Sequence, residues 1–233
     1  VTGAFTNRYY AAGLQPRTAV GNPYGDGYYD DFNTAVGLDS AGRTQLHHKG
    51  KLVIGVENTP TVIFDLMQFL VIDLGGVVGQ IGMGQHGTAF AHAGMRMGPA
   101  ICYEGLYGDF YGDFVRRGAQ FMAIISNDGW WGDTPGYKHL FTISRLRAIE
   151  HRRAIARSAN TGMSGFISAR GDIGETLGWE KRGVISAAVP LNSELTFYTR
   201  YGDYLGRIAE YLTLLCVLYY IAYRVKRENY LVK

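Results

Sequence analysis

The chain has only two cysteines among its 233 residues, and they stand in unlike contexts. Cys102 follows a short strand-like run and Cys216 lies inside an apolar tail, which argues against a disulfide between them. Net charge is low as well. The excess of +3 is small and dispersed, so nothing points to a nucleic-acid partner. A phosphate-cradling loop is missing, because GGVVGQIG lacks the lysine and the strand-then-helix setting such a loop needs. Metal ligation is poorly served: His47 and His48 are adjacent, so in a strand they point to opposite faces and cannot converge on one ion. No cofactor is expected. The chain starts at Val1 in mid-pattern, with no initiator methionine and no signal-peptide design, and is expected to be a piece of a longer protein.

What the chain does have is glycine, an apolar tail and a set of short motifs. Its 32 glycines cluster with Tyr and Asp, as many tight turns and close backbone approaches require. The length suits one domain with an appendage and is enough to bury a real core. Residues 205–223 read LGRIAEYLTLLCVLYYIAY, where Glu210 is the only charge from Ile208 to Tyr223. That run reaches the roughly 17–25 residues of a membrane-spanning helix. Tyr219, Tyr220 and Tyr223 stand where an interfacial aromatic belt lies, and Arg224, Lys226 and Arg227 follow as positive-inside anchors. The pattern predicts a transmembrane helix over 205–223 and a basic cytoplasmic tail over 224–233, with residues 1–204 as a domain on the outer face. The alternative is an amphipathic or buried C-terminal helix.

Along the domain, VTGAF and DFNTAVGLD flank a polar Gly/Pro/Tyr-rich loop and read as a hairpin. LDSAG is a turn by composition, and RTQLHHK continues as a strand into a loop carrying Lys49. Residues 60–84 neither alternate nor cap, and are expected to form an irregular, partly helical insertion with exposed apolar surface, or else part of the core. TAFAHAGMRMG and PAICY read as strands, GLYGDFYGDFVRRGA as a helix, and FMAIISN as a strand buried on both faces. A helix is predicted over 138–157, with a stripe of Leu140, Ile143, Leu146 and Ile149 and its arginines on a solvated face. GMSGFISARGDIGETLG reads as a hairpin turning at Arg170 to Asp172, and GVISAAVPL as a last strand. Strands and helices alternate in the middle, which predicts an α/β sandwich-like domain.

The chemistry centres on GPAICYEGLYGDF, residues 98–110. A free cysteine is ordinarily a small buried hydrophobe. Here an apolar strand ends, the chain turns and a helix is expected to begin at about Gly105, so Cys102 faces the positive end of a helix dipole that favours the thiolate. A lysine nearby would favour it further and would stabilise an oxyanion after attack. HHKGKLVIGVE supplies Lys49 and Lys51, leading to Glu57.

These blocks carry more information together than apart. HHKGKLVIGVE, the Cys-Tyr-Glu block, SNDGWWGD and SANTG follow one another in the order found in the carbon-nitrogen hydrolase (nitrilase) superfamily. From about Val1 to Arg227 the chain resembles that superfamily, and within it the bacterial apolipoprotein N-acyltransferase family. The resemblance implies a four-layer αββα sandwich with Cys102 as nucleophile and Lys49 steadying the tetrahedral intermediate. Glu57 matches a supporting glutamate, Tyr103 and Glu104 the pair after the nucleophile, Asn33 an asparagine of the family, and Trp130 a tryptophan near the substrate entrance. For Asn33 a strand-end hydrogen bond is the plainer role, for Glu104 a bridge holding the elbow, and for Trp130 a half-buried aromatic.

The implied reaction is ping-pong. An acyl chain moves from a phospholipid, typically phosphatidylethanolamine, to Cys102 and then to the N-terminal amine of a diacylglyceryl-cysteine apolipoprotein. The implied location is the bacterial inner membrane, with the catalytic domain on its periplasmic face. The family's triad glutamate lies on an early strand, and no glutamate precedes Lys49 here, so residues 1–233 alone are not expected to be a competent enzyme. Ile54 also replaces a proline of the family's lysine loop. The competing readings are a nitrilase-type amidase acting on small amides and a catalytically dead, membrane-anchored binding module.

Overall fold

The computed structural model of the protein describes residues 1–53, 57 and 81–231. Ile54 and the expected insertion up to residue 80 lie outside the described residues, as do residues 232–233 of the tail.

Strand β1 (Thr2–Tyr10) pairs antiparallel with β3 (Tyr28–Leu38), with Phe5 opposite Asn33, so the predicted hairpin forms and is longer than expected. On the other side of β3 lie the short β2 (Val20–Gly21) and β4 (Thr44–His48). The segment 81–84 is stitched onto this sheet, with Gly82 N–H donating to the Asp31 carbonyl at 2.7 Å and Gly84 N–H to the Lys49 carbonyl at 2.9 Å.

The second sheet has six strands in the order β10-β9-β8-β7-β6-β5. Its centre is parallel: β6 (Met95–Ile101), β7 (Phe121–Ser126) and β8 (Ile155–Ala159). Parallel neighbours need crossovers. Helix α1 (Gly108–Arg116) supplies the first and α2 (Pro135–His151) the second. At the edges, β5 (Phe90–His92) pairs antiparallel with β6, and the hairpin β9 (Ser164–Ile167) with β10 (Ile173–Leu177) forms as read, with Gly171 at φ +86° in its turn.

Alternation along β7 divides the core in two. Met122 and Ile124 pack with Tyr111, Phe114 and Phe141 beneath the helices. Ile125 faces the other way, toward Ala35, Phe90 and Ile101 between the sheets. The described layers are therefore helices, sheet and sheet. This is the nitrilase-like arrangement expected, with no helix over the outer face of the first sheet among the described residues.

Several elements depart from the sequence reading. TAFAHAGMRMG is not one strand: Ala93 and Gly94 both take positive φ, 48° and 79°, and turn the chain back, as the tightest hairpin loops require. After Cys102 comes a short 3-10 turn, Cys102–Leu106, and the α-helix begins only at Gly108, so the cysteine does not sit at the end of a long helix dipole. Helix α2 starts earlier than expected, with the Thr134 hydroxyl capping Gly136 N–H and Pro135 in the first turn. It stops at His151, where Arg152 takes a left-handed conformation (φ 51°). The next residues then join β8, because a partner strand outweighs helical periodicity.

The buried stripe of α2 is Tyr137, Leu140, Phe141, Ser144, Arg147, Ala148 and His151, while Leu146 and Ile149 are exposed. Of the arginines expected on a solvated face, Arg152 is exposed as read and Arg145 is half-buried, but the other three are not solvated. Arg147, Arg153 and Arg157 are all buried, their guanidinium groups donating to Leu106, Ala119 and Met163 carbonyls respectively. GVISAAVPL forms no strand: Val184 is almost fully exposed and the stretch joins no sheet ladder.

A short helix, α3 (Phe197–Tyr201), leads into α4 (Tyr204–Leu231). Its 21-residue stretch Tyr204–Arg224 is long and apolar enough to cross a membrane, and none of it is buried among the described residues. At 1.5 Å per residue the stretch spans about 30 Å, the thickness of a bilayer's hydrocarbon.

The Asn-Asp-Gly-Trp-Trp block has a structural member. The fully buried Asp128 carboxylate accepts both guanidinium nitrogens of Arg157 at 3.0 Å and the Ser126 hydroxyl at 2.5 Å. Removing one partner of such a pair strands the other in the core. Asp128→Ala is expected to lower stability by about 3–5 kcal/mol, whereas Asp128→Leu combined with Arg157→Met should cost clearly less. Urea unfolding of the micellar protein measures both, and a double variant no better than the single one contradicts the assignment.

Candidate active site

Cys102 follows directly on β6, at the carboxyl end of the parallel core where open α/β sheets place their ligand crevices. Its φ is +44°, a conformation that a side chain bearing Cβ adopts at a cost of about 1–3 kcal/mol. It is partly buried, against the Ala35–Phe90–Ile101 cluster between the sheets.

The bend is held by Glu104. This carboxylate is fully buried, and its Oε2 accepts Ile101 N–H at 2.7 Å, on the residue before the cysteine. Its Oε1 accepts Gly50 N–H at 2.6 Å, on the residue after Lys49. The His47 ring nitrogen Nε2 lies 3.1 Å from both oxygens. One carboxylate thereby fastens the cysteine elbow to the lysine loop. Only glycine fits at position 50, since a Cβ there would stand 2.3 Å from the Phe110 ring and 2.8 Å from the Gly84 carbonyl oxygen.

Lys49 is aimed by the register of the first sheet. Ala35 and His47 face each other across β3 and β4, and alternation sends Asn33, Ala35, His47 and Lys49 to the inner face. His48 points the other way, to the Thr34 hydroxyl at 2.9 Å, so the two histidines diverge as expected. Burial and the nearby Arg8 charge push the His48 imidazole below its usual range. The Lys49 ammonium, almost fully buried, donates to both Glu57 oxygens at 2.8 and 2.7 Å. Glu57 also accepts Asn33 Nδ2 at 3.1 Å and Val53 N–H at 2.8 Å. Asn33 acts again through its backbone, its carbonyl accepting Lys49 N–H at 2.8 Å.

Of the residues singled out by sequence, Cys102, Glu104, Lys49, Glu57 and Asn33 thus belong to one connected structure. Tyr103 stacks edge-on against Tyr107 at 5.6 Å between ring centres. Burial, with Tyr103 beside it, raises the Tyr107 phenol above its ordinary range. Trp130 stands half exposed on the short turn Gly129–Trp131 and, among the described residues, makes no hydrogen bond or ring contact with the Lys49–Glu104 cluster. Sequence reasoning missed His47 as the partner of Glu104. The signal was available in its position two residues before an inward-facing lysine, in step with strand alternation. Among the described residues no group of three or more His, Cys, Asp or Glu side chains is arranged to hold a metal ion.

Chemically, the arrangement offers a thiol at a strained, partly open elbow and, fixed to the same elbow, a buried ammonium suited to stabilising negative charge on an attacked carbonyl. Glu57 and Glu104 are both committed to their donors.

Comparison with known proteins bears on what this arrangement is. The carbon-nitrogen hydrolase family model matches residues 7–195. An apolipoprotein N-acyltransferase from Chlorobaculum tepidum is 36% identical over 181 residues, covering 75% of this chain and 34% of the relative. One from Verminephrobacter eiseniae is 35% identical over 190 residues, covering 78% and 34%. The chain therefore spans about a third of the length of the curated relatives it matches. Among solved structures, a cysteine-to-alanine variant of a nitrilase-superfamily amidase from Nesterenkonia sp. AN1 superposes with a TM-score of 0.52 at 16% identity, covering 76% of this chain and 61% of that one, a likeness of fold alone. With a family match over most of its length, and with cysteine, lysine and glutamates joined in one cluster, the chain belongs to the carbon-nitrogen hydrolase family.

Proposed function

We propose that this chain is the nucleophile-bearing part of an apolipoprotein N-acyltransferase. The observation that carries the reading is the Glu104 carboxylate joining the Cys102 elbow to the loop of the buried Lys49, in a chain whose relatives bear that name and which ends in a helix of membrane-spanning length. In the proposed reaction the Cys102 sulfur attacks an ester carbonyl of a phospholipid such as phosphatidylethanolamine. The C–S bond forms, the C–O bond breaks, and the lysophospholipid leaves with a proton on its hydroxyl oxygen. The α-amine of a diacylglyceryl-cysteine apolipoprotein then attacks the thioester. A C–N bond forms, the C–S bond breaks, and the thiol regains a proton. Lys49, oriented by Glu57 and Asn33, stabilises the oxyanion of each tetrahedral intermediate. Glu104 is a positioning residue that fixes Cys102 and Lys49 relative to one another.

Both substrates are lipids, and the helix from Tyr204 keeps the site at their surface. With Arg224, Lys226 and Arg227 on the cytoplasmic side, residues 1–204 form the hydrolase-family domain at the outer face of the inner membrane, 205–223 the span and 224–233 the basic tail. Trp130, exposed on its turn, is assigned to the substrate entrance. The amidase reading has fold likeness behind it, but an anchor of this length is not needed for small soluble amides.

Intact mass measurement of the full-length protein incubated with phosphatidylethanolamine is expected to show one acyl adduct on Cys102, absent in Cys102→Ala; an unmodified cysteine under turnover conditions contradicts the reading. Glu104→Gln exchanges an acceptor oxygen for an amide donor facing buried N–H groups, at about 1–3 kcal/mol per stranded donor. The acylation rate should fall by about tenfold or more, and a variant acylated at the original rate excludes the positioning role.

A further inference from the structure

Lys51 lies two residues beyond Lys49 but is held quite differently. Its ammonium stands 5.3 Å from the ring centre of Tyr107 and 5.4 Å from that of Phe110. Whereas Lys49 is neutralised by Glu57 at 2.7 Å, Lys51 has no carboxylate partner among the described residues. Ring faces attract a cation without cancelling its charge, so the charge remains available to a ligand. The two rings are fixed to the segments that flank the nucleophile. Phe110 occupies the space beside Gly50, whose N–H is bound by Glu104. Tyr107 closes the turn Cys102–Leu106 and packs on Tyr103, the neighbour of Cys102. The Tyr107 side is open to solvent.

We infer that Lys51, held by Tyr107 and Phe110, is an anion subsite beside the nucleophile and binds the phosphate of the acyl donor. The inference rests on the acyl-transfer reading. In a glycerophospholipid the phosphate sits only a few bonds from the ester carbonyl, so a lipid placed with its carbonyl at Cys102 carries its negative charge close to the elbow. A fixed cation there selects phosphate-bearing donors over neutral glycerides and sets which end of the lipid enters, while Lys49 remains reserved for the oxyanion. Lys51 therefore acts in recognition of the donor rather than in bond-making.

The test compares two donors with the same acyl chains, phosphatidylethanolamine and diacylglycerol, in micelles containing the full-length protein, scoring the rate of Cys102 acylation by mass. The wild-type protein is expected to prefer the phospholipid by about tenfold or more, the scale of a charge-assisted contact. Lys51→Gln should abolish that preference while leaving the diacylglycerol rate unchanged, and Lys51→Arg should restore it. If Lys51→Gln keeps the preference, or slows both donors equally, the subsite is overturned, since a folding defect lowers both rates together. If the wild-type protein is acylated by neither donor, it is the acyl-transfer reading that fails, and the subsite with it.

Discussion

The buried carboxylate of Glu104 is the constraint on which the rest of the site depends. It accepts N–H groups from both sides of the gap, Ile101 at the end of β6 and Gly50 after β4, and its two oxygens each lie 3.1 Å from the His47 ring nitrogen Nε2. These two segments flank different sheets and lie 51 residues apart in sequence. Without a shared acceptor, two buried N–H donors would lie unpaired between the layers. The left-handed backbone at Cys102 is tolerable because the Ile101 N–H just before it is fixed by the side chain of Glu104 just after it. Lys49 inherits its position from the same bond, through Gly50, and its orientation from Glu57 and Asn33.

A second polar network ties this elbow to the root of the C-terminal helix. Arg147 donates to the carbonyl of Leu106, the last residue of the turn that Cys102 opens, and pairs with Glu150 at 2.7 Å. His151 bridges the Gly108 carbonyl and the Thr199 hydroxyl. Burial first, then the charge of Arg147, depresses its imidazole to about 3, so it works there as a neutral hydrogen-bonding ring. Asp203, one residue before α4, donates its N–H to the Asp109 carboxylate at 3.0 Å. A membrane-length helix is thus joined through hydrogen-bonded groups, His151 and Thr199 among them buried, to the segment that presents the cysteine, which in the proposed chemistry fixes the height of the nucleophile above the lipid surface.

The sequence was most readable where local spacing and chemistry agree. Cys102 after an apolar strand, Lys49 on an alternating strand and the tail's apolar run all express one local rule. It was least readable where a distant partner decides. Nothing local says that Arg147, Arg153 and Arg157 are buried, because their acceptors lie 41, 34 and 29 residues away. For the same reason the helix expected to reach 157 ends at His151, and GVISAAVPL, strand-like in composition, has no ladder to join. Glu104 was foreseen as a bridge at the elbow, but its partners Gly50 and His47 are more than 50 residues upstream, and only the packing of the two sheets reveals them.

In the proposed reaction the thioester at Cys102 is made to be handed to an amine. Single-turnover chase measures this directly: Cys102 is first acylated, then mixed with a diacylglyceryl-cysteine peptide, and both thioester and products are followed in time. The thioester is expected to disappear as fast as N-acylated peptide accumulates, with little free fatty acid. A thioester that yields fatty acid at the same rate with or without the peptide would contradict it and mark the protein as a hydrolase.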